Sequence, residues 1–256
     1  MNGVQNRSPG IEQRLREREP PQAACVMHQV WKELLFLHWS IDAEEVQMRL
    51  PKTLQVDCFD GRAWVGVVPF FMQGVRPRFL PAVPGISNFL ELNLRTYVVD
   101  SKGRPGVWFF SLDTSHRVPV WIARRFFHLP YCHAIMTATR KNGVIEYRSS
   151  RCNSDGLDEE QIYRWSRNGV LRTAEPGSLE FFLMERYRLF SHNASKERLY
   201  SGQVHHKPYQ FSEVDLQTYS KRLFVLNGLE TPLSEPDSVI AAPGVPVSIH
   251  TLSRVQ

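Results

Sequence analysis

Polar side chains suited to chemistry first appear in a segment that is expected to be a strand. In residues 89–99 the apolar positions alternate with polar ones, which places Glu91, Asn93 and Arg95 on one face. That face is either a solvated outer surface or the lining of a cavity. Asn93 and Arg95 are interleaved with aromatic residues rather than with lysines and glutamates alone, and this pattern favours the cavity.

A second group of polar side chains follows Pro130. Tyr131 and His133 are two positions apart on an expected strand, so they share a face, and Cys132 points to the other side. A phenol can donate a hydrogen bond or act as a general acid, and an imidazole can act as a general base. If Tyr131 faces a cavity, His133 is expected to face it as well.

Other reactive residue types lack the spacing that their chemistry needs. His205 and His206 are adjacent on an expected strand and point to opposite sides, so they make a poor metal pair. The four cysteines are scattered, which argues against a zinc site and against a disulfide framework. Ser115 has no glycine elbow around it, and no Gly-rich phosphate loop is present. The sequence predicts neither a metal nor a cofactor.

Composition limits the classes of partner. The net charge is +5, but the lysines and arginines are spread along the chain, so no nucleic-acid partner is expected. No apolar run approaches the ~20 residues of a membrane span, and the polar start has no signal-peptide pattern. A cytoplasmic protein is the resulting expectation. Residues 1–24 are expected to be a flexible arm with a short helix around Gln13–Glu19, and residues 25–256 a single domain.

The elements that must position these residues are mostly strands. Hydrophobic positions recur mainly with a period of two, and Asn142-Gly143 predicts a tight hairpin between 131–140 and 144–151. Helices are expected after Asp42, at 118–127, after Ser178 and at 219–226. Many strands, few helices and no βαβ rhythm predict a mainly β (α+β) fold, in which a meandering antiparallel sheet curls on itself with a few peripheral helices.

Several longer strings carry a family resemblance. They are Trp31–Trp39, Phe59–Phe70, Glu91–Val98, Pro105–Asp113, Ala123–Arg125 with Leu129–Tyr131, and Glu185–Tyr187. From about residue 28 to 252 the chain resembles the YqjF-like proteins, a family that groups with the acetoacetate decarboxylase-like superfamily. The resemblance implies a sheet closed into a cone-like β-barrel around an internal cavity.

The same resemblance implies that one reaction is missing. Decarboxylases of this type hold a lysine pair just after a proline, and the first lysine forms a Schiff base with the keto acid. Tyr131 and Cys132 stand at these positions, and neither a phenol nor a thiol can form the imine. Glu91 matches the position of a cavity glutamate, and Lys32 falls near an arginine of the family.

The predicted site therefore binds a small anionic or carbonyl-containing molecule without Schiff-base chemistry. Glu91 and Tyr131 are the predicted catalytic residues, and the predicted substrate-binding residues are Arg95, His116, Arg124, His133 and Lys32. The same residues are compatible with a fixed ion pair between Glu91 and Arg95 that does no chemistry. A non-catalytic ligand-binding or sensing protein also fits the sequence, as does a basic protein that acts through its surface. Whether the protein is an enzyme stays open, and homo-oligomers are compatible with an exposed edge strand.

Overall fold

The computed structural model describes residues 8–117, 125, 127–193 and 196–255. The fold is mainly β, with a few short helices, as the sequence predicts. The strands are β1 (Cys25–Ile41), β2 (Leu54–Val56), β3 (Ala63–Pro77), β4 (Phe89–Asp100), β5 (Pro105–Thr114), β6 (Tyr131–Lys141), β7 (Val144–Asn153), β8 (Gly156–Leu157), β9 (Gln161–Thr173), β10 (Arg188–Asn193), β11 (Arg198–His205), β12 (Gln210–Thr218), β13 (Ser238–His250) and β14 (Ser253–Arg254). The helices are α1 (Ile11–Arg16), α2 (Ala43–Gln47), α3 (Leu179–Met184) and α4 (Arg222–Leu226).

Most neighbouring strands pair antiparallel, but the sheet is branched. One edge of β5 pairs with β4, and its other edge is shared by β10 near Val107 and by β6 from Leu112, both in parallel. In the same way β13 pairs with β1 along one edge and with β12 and β11 along the other. The mainly β class is thus confirmed, with two parallel pairings in place of a purely antiparallel meander. Closure into a single barrel stays a prediction.

Local signals in the sequence account for several elements. Asn142 and Gly143 have positive φ angles of 51° and 80°, as a tight β6–β7 hairpin turn requires. Asp42 accepts a hydrogen bond from the Glu44 backbone N–H at 2.8 Å and begins α2. Ser178 caps α3 in the same way. Of the helix expected at 118–127, residues 118–124 and 126 lie outside the described part of the chain.

Two of the longer strands, β9 and β10, and the short strands β2, β8 and β14 are absent from the sequence-based prediction. Burial in the first half of β9 alternates with a period of two: Gln161, Tyr163 and Trp165 are buried, and Arg164 is exposed. The basic residues of this strand hide the alternation. β10 is short and charged at its start, and its pairing with β5 and β11 identifies it as a strand.

The core has two main parts separated by β1. Leu35, Leu37 and Trp39 pack in one cluster, whereas Leu34 and Phe36, on the other face of the strand, pack in a second. Burial of such a side chain contributes ~1.5–3 kcal/mol to the free energy of folding. Because both faces of β1 are buried, this strand is the centre of the fold. Within the described ranges, no helix is long and apolar enough to cross a lipid bilayer.

The N-terminal segment differs from the expected flexible arm. Residues 11–16 form α1, close to the predicted short helix, and the Gln13 side chain donates to the Gly103 carbonyl at 2.6 Å. Ion pairs of 2.7, 2.9 and 3.3 Å join Arg14 to Asp57, Arg188 to Glu17 and Arg18 to Glu185. The Asp57 side chain is fully buried, and the rest of the fold thus supplies partners for residues 13–18.

Candidate functional site

A pocket of about 380 Å³ lies against the second core cluster. Strand β4 contributes Phe89, Glu91 and Arg95 to its wall, and the loop 78–88 covers one end. Most of the lining residues are apolar. The ionisable residues among them are Glu91, Arg95, Tyr131, Arg186, Arg188 and Tyr209. The pocket thus combines apolar walls with a few polar groups, which is the usual composition of a small-molecule site.

Glu91 and Tyr131 form a hydrogen-bonded pair in this pocket. The Tyr131 hydroxyl donates to Glu91 Oε2 at 2.8 Å, across the β4–β5–β6 part of the sheet. Tyr147 of β7 donates to the Glu91 backbone carbonyl, also at 2.8 Å, and so holds this part of β4 in place. The two residues that the sequence assigns to one site therefore meet in the folded chain.

Burial changes the acidity of both members of the pair. Desolvation raises the pKa of Glu91 to about 7, although hydrogen bonds from Tyr131 and Asn93 lower it. Burial, followed by the charge of Glu91, raises the pKa of Tyr131 well above its ordinary value. Near neutral pH, Glu91 can therefore take up or release a proton, while Tyr131 remains a hydrogen-bond donor.

Arg95 lies at the other end of the β4 wall and has only neutral partners among the described residues. Its Nη2 donates to the Leu183 carbonyl at 3.2 Å and to the Tyr97 hydroxyl at 3.4 Å, and its guanidinium lies over the Phe36 ring. The ion pair between Glu91 and Arg95 that the sequence allows is not formed within the described part of the chain. The positive charge of Arg95 consequently lacks a carboxylate.

Two further arginines line the pocket and were not predicted as site residues. Arg186 pairs with Asp57 at 2.8 Å, and Arg188 pairs with Glu17 at 2.9 Å. Both belong to the stretch after α3 where Glu185–Tyr187 carries part of the family resemblance. The family resemblance was the one sequence feature that marked this stretch. No sequence pattern indicated that Arg186 and Arg188 reach the pocket.

The remaining predicted site residues lie away from this group. His116 packs its ring against Phe89 at 6.3 Å, and His133 is partly buried next to it, but neither lines the pocket. Burial, followed by the charges of Arg117 and His116, lowers the pKa of His133. Lys32 is exposed on β1, which contradicts its expected place in the site. Arg124 lies outside the described residues.

The positions of the lysines bear directly on imine chemistry. The chain has seven lysines, and all of them lie in the described ranges. Six are exposed, and the seventh, Lys221, donates to carbonyls of residues 232–234. None lines the pocket. The described residues also include no group of three or more His, Cys, Asp or Glu side chains that could hold a metal ion.

Solved structures with a similar fold define the class of protein. The acetoacetate decarboxylase from Legionella pneumophila superposes with a TM-score of 0.63 at 12% identity, over 93% of this chain and 91% of that one. The enduracididine biosynthesis enzyme MppR complexed with pyruvate superposes with a TM-score of 0.62 at 13% identity, over 93% of each chain. The protein therefore has an acetoacetate decarboxylase-like fold, here with a pocket that lacks a lysine.

The family follows from sequence. The model of the family DUF2071, described as an uncharacterized conserved protein, matches residues 28–246. The chain is also 37% identical over 218 residues to the uncharacterized protein YqjF of Bacillus subtilis (strain 168), which covers 84% of this chain and 87% of the relative. The chain belongs to the DUF2071 family and is a homologue of YqjF.

Proposed function

We propose that the pocket binds a small organic anion, with Arg95 holding its carboxylate, and that its chemistry proceeds without an imine. The observation that carries this proposal is the guanidinium of Arg95, which lines an apolar pocket and has no carboxylate partner among the described residues. Arg95 is partly buried, and a cation removed from water without a counter-ion is costly, so a bound anion lowers that cost. Arginine also matches a carboxylate with two parallel hydrogen bonds.

Glu91 and Tyr131 are assigned the proton-transfer roles in this proposal. Glu91, with a pKa of about 7, accepts a proton from the bound ligand, and Tyr131 then turns its hydroxyl proton from Glu91 to a ligand oxygen that gains charge. The pyruvate in the MppR complex is a 2-oxo acid, and it offers both a carboxylate and a carbonyl. Because its carboxylate can bind Arg95, pyruvate is a suitable first probe of the anion contact.

A non-catalytic binding or sensing protein is the second candidate function. Such a protein would bind its ligand through the same contact with Arg95. The spacing of Glu91 and Arg95 along β4 favours this function, because a short acid held by Arg95 does not reach Glu91. Glu91→Gln separates the two functions. If the protein is an enzyme, the variant loses turnover of the bound ligand because the Glu91 carboxylate is gone. If it is a binding protein, the variant retains its affinity for the ligand.

Calorimetric titration of the full chain tests the binding proposal. We expect pyruvate to bind at least about tenfold more tightly than its neutral amide, because a hydrogen bond to a charged group contributes ~1.5–3 kcal/mol. Arg95→Met is expected to abolish this preference. The control is Arg254→Met, since Arg254 is exposed on β14 away from the pocket.

Two results would overturn the proposal. One is equal affinity for the acid and the amide in the wild-type protein. The second is an equal preference for the acid in the Arg95→Met and Arg254→Met variants. Thermal unfolding of both variants checks that each is folded.

A further inference from the structure

The spacing of the pocket-lining residues on strand β4 indicates the length of the pocket. The loop 78–88 ends where β4 begins, and Phe89, Glu91 and Arg95 follow in that order, all three lining the pocket. At ~3.3 Å per residue, the Cα atoms of Glu91 and Arg95 are about 13 Å apart, and those of Phe89 and Arg95 are about 20 Å apart. The pocket is accordingly elongated along the strand.

The guanidinium of Arg95 lies at the end of this row of β4 residues that is farthest from the 78–88 loop. Its contacts with Tyr97, the next residue on the same face, and with the Leu183 carbonyl draw it away from Glu91. A three-carbon acid bound by Arg95 therefore leaves the rest of the pocket unfilled. A ligand that fills the pocket must extend from Arg95 past Glu91 toward the loop.

The loop forms an apolar mouth at the opposite end. Leu80, Val83 and Ile86 line the pocket, yet 59%, 49% and 41% of their surfaces are exposed. Residues that are both exposed and part of the lining mark the place where the pocket meets solvent. Large apolar side chains exposed together are typical of a binding surface. The portion of a ligand that lies here must be apolar.

The wall between the two ends is mostly apolar. Met72, Leu112, Met184 and Val204 contribute buried side chains to it. The paired side chains of Glu91 and Tyr131 are the polar interruption on the β4–β6 side. A chain of methylene groups fits such a wall, because each buried methylene adds favourable transfer free energy and requires no hydrogen bond.

We propose that the ligand is an elongated monocarboxylate with an unbranched apolar tail, its carboxylate bound by Arg95 and its tail directed to the 78–88 loop. This inference rests on the proposed function, since both assign the anion to Arg95. It adds the length and the polarity of the rest of the ligand. The middle of the chain then passes Glu91 and Tyr131, where a hydroxyl or carbonyl substituent finds a partner.

Affinities of a homologous series test the inference on the full chain. The probes are acetate, butyrate, hexanoate, octanoate and decanoate, each paired with the primary alcohol of equal length. We expect the affinity of the acids to rise about fourfold per added methylene, the factor that corresponds to ~0.8 kcal/mol, until the tail reaches the loop. Arg95→Met is expected to remove the preference for each acid over its alcohol.

A matched pair of variants tests the direction of the tail. Val83→Ser changes the mouth, and Val170→Ser changes an equally simple residue that is 87% exposed on β9 and outside the pocket. We expect Val83→Ser to weaken decanoate binding several-fold and to leave acetate binding unchanged. Val170→Ser is expected to change neither. Equal effects of the two variants on decanoate would refute the assigned direction.

The outcomes distinguish this inference from the proposed function. Acids that bind more tightly than their alcohols, but with the same affinity at every chain length, overturn the inference and support the proposed function. Acids and alcohols that bind equally at every length overturn both, because the anion then has no special contact. Affinity that rises with length and depends on Arg95 supports both.

Discussion

At the scale of single residues, Glu91 and Asp113 show how the hydrogen-bond partner of a buried carboxylate determines whether it is suited to proton transfer. Asp113 accepts three hydrogen bonds from Arg151 at 2.7, 3.0 and 3.1 Å, a fixed ion pair between strands β5 and β7. Glu91 has a phenol as its partner, and desolvation outweighs the hydrogen bonds that it accepts. A carboxylate that is held by a neutral donor can change its protonation state near pH 7, and this makes Glu91 the residue suited to proton transfer.

Glu91→Gln is expected to remove a pH-dependent loss of stability. The pKa of Glu91 is about 7 in the folded protein and about 4.5 when it is unperturbed. Between these values the folded state binds a proton that the unfolded state has lost. The contribution of Glu91 to the free energy of unfolding therefore falls as the pH rises from 4.5 to 7, by roughly 3 kcal/mol in total, and the difference in slope between the wild type and Glu91→Gln isolates it. Urea unfolding between pH 4.5 and 8 measures this slope.

Two further variants complete that experiment. Glu230 is exposed, so Glu230→Gln is expected to keep the wild-type slope. Tyr131→Phe removes a hydrogen bond that lowers the pKa of Glu91, and it is expected to move the loss of stability to higher pH. Identical slopes in the wild type and in Glu91→Gln would show that Glu91 is ionised throughout this range.

At the scale of elements, the N-terminal segment and the stretch after α3 depend on each other. Arg186 and Arg188 line the pocket, but their counter-ions come from elsewhere: Asp57 lies before β3, and Glu17 follows α1. Arg14 of α1 binds both carboxylate oxygens of the same Asp57. Glu17 at the start of the chain thus neutralises Arg188, while Arg186 shares Asp57 with Arg14, and Arg95 is the pocket arginine without a carboxylate partner among the described residues.

Arg14→Met is expected to lower the free energy of unfolding by about 2 kcal/mol, because it removes hydrogen bonds of 2.7 Å to the buried Asp57. Arg16→Met is the matched control on the same helix. The pair of Arg16 with Glu12 is exposed and 3.9 Å long, so its loss is expected to cost well under 1 kcal/mol. Urea unfolding at pH 7 compares the two variants, and equally small losses would mean that α1 is not fixed to the sheet in solution.

At the scale of the whole molecule, the fold of a decarboxylase-like enzyme is present without the amine that such an enzyme uses. The pocket is lined by arginines, which remain charged and do not form imines, while the lysines lie on the outer surface. The fold is thus acetoacetate decarboxylase-like, and no lysine is among the residues that line the pocket.

Borohydride treatment in the presence of pyruvate is expected to leave no covalent adduct in the pocket. Imine formation needs a neutral amine next to the bound carbonyl, and no lysine lines the pocket. Intact-mass measurement, with an acetoacetate decarboxylase treated in parallel, detects the reduced imine. An adduct that disappears with Arg95→Met would place an amine at this site and contradict the assignment.

Short-range features were predictable from the sequence. The Asn142-Gly143 hairpin, the Asp42 cap and the alternation in β4 each depend on residues a few positions apart. The placement of Glu91 and Tyr131 in one site could also be anticipated, with help from the family resemblance, but the hydrogen bond between them could not. β9 was missed because arginines obscure its alternation, and the docking of residues 8–24 was missed because their charges suggested solvent.

The sequence by itself determined the class of fold, the strand that carries Glu91 and Arg95, and the absence of a lysine beside Pro130. Only the tertiary structure decided which charges are neutralised. Arg186 and Asp57 are 129 positions apart, and Arg188 and Glu17 are 171 apart. No periodicity links such residues. The same holds for the acidity of Glu91, because desolvation depends on every element that packs around the carboxylate, and those elements meet only in the folded chain.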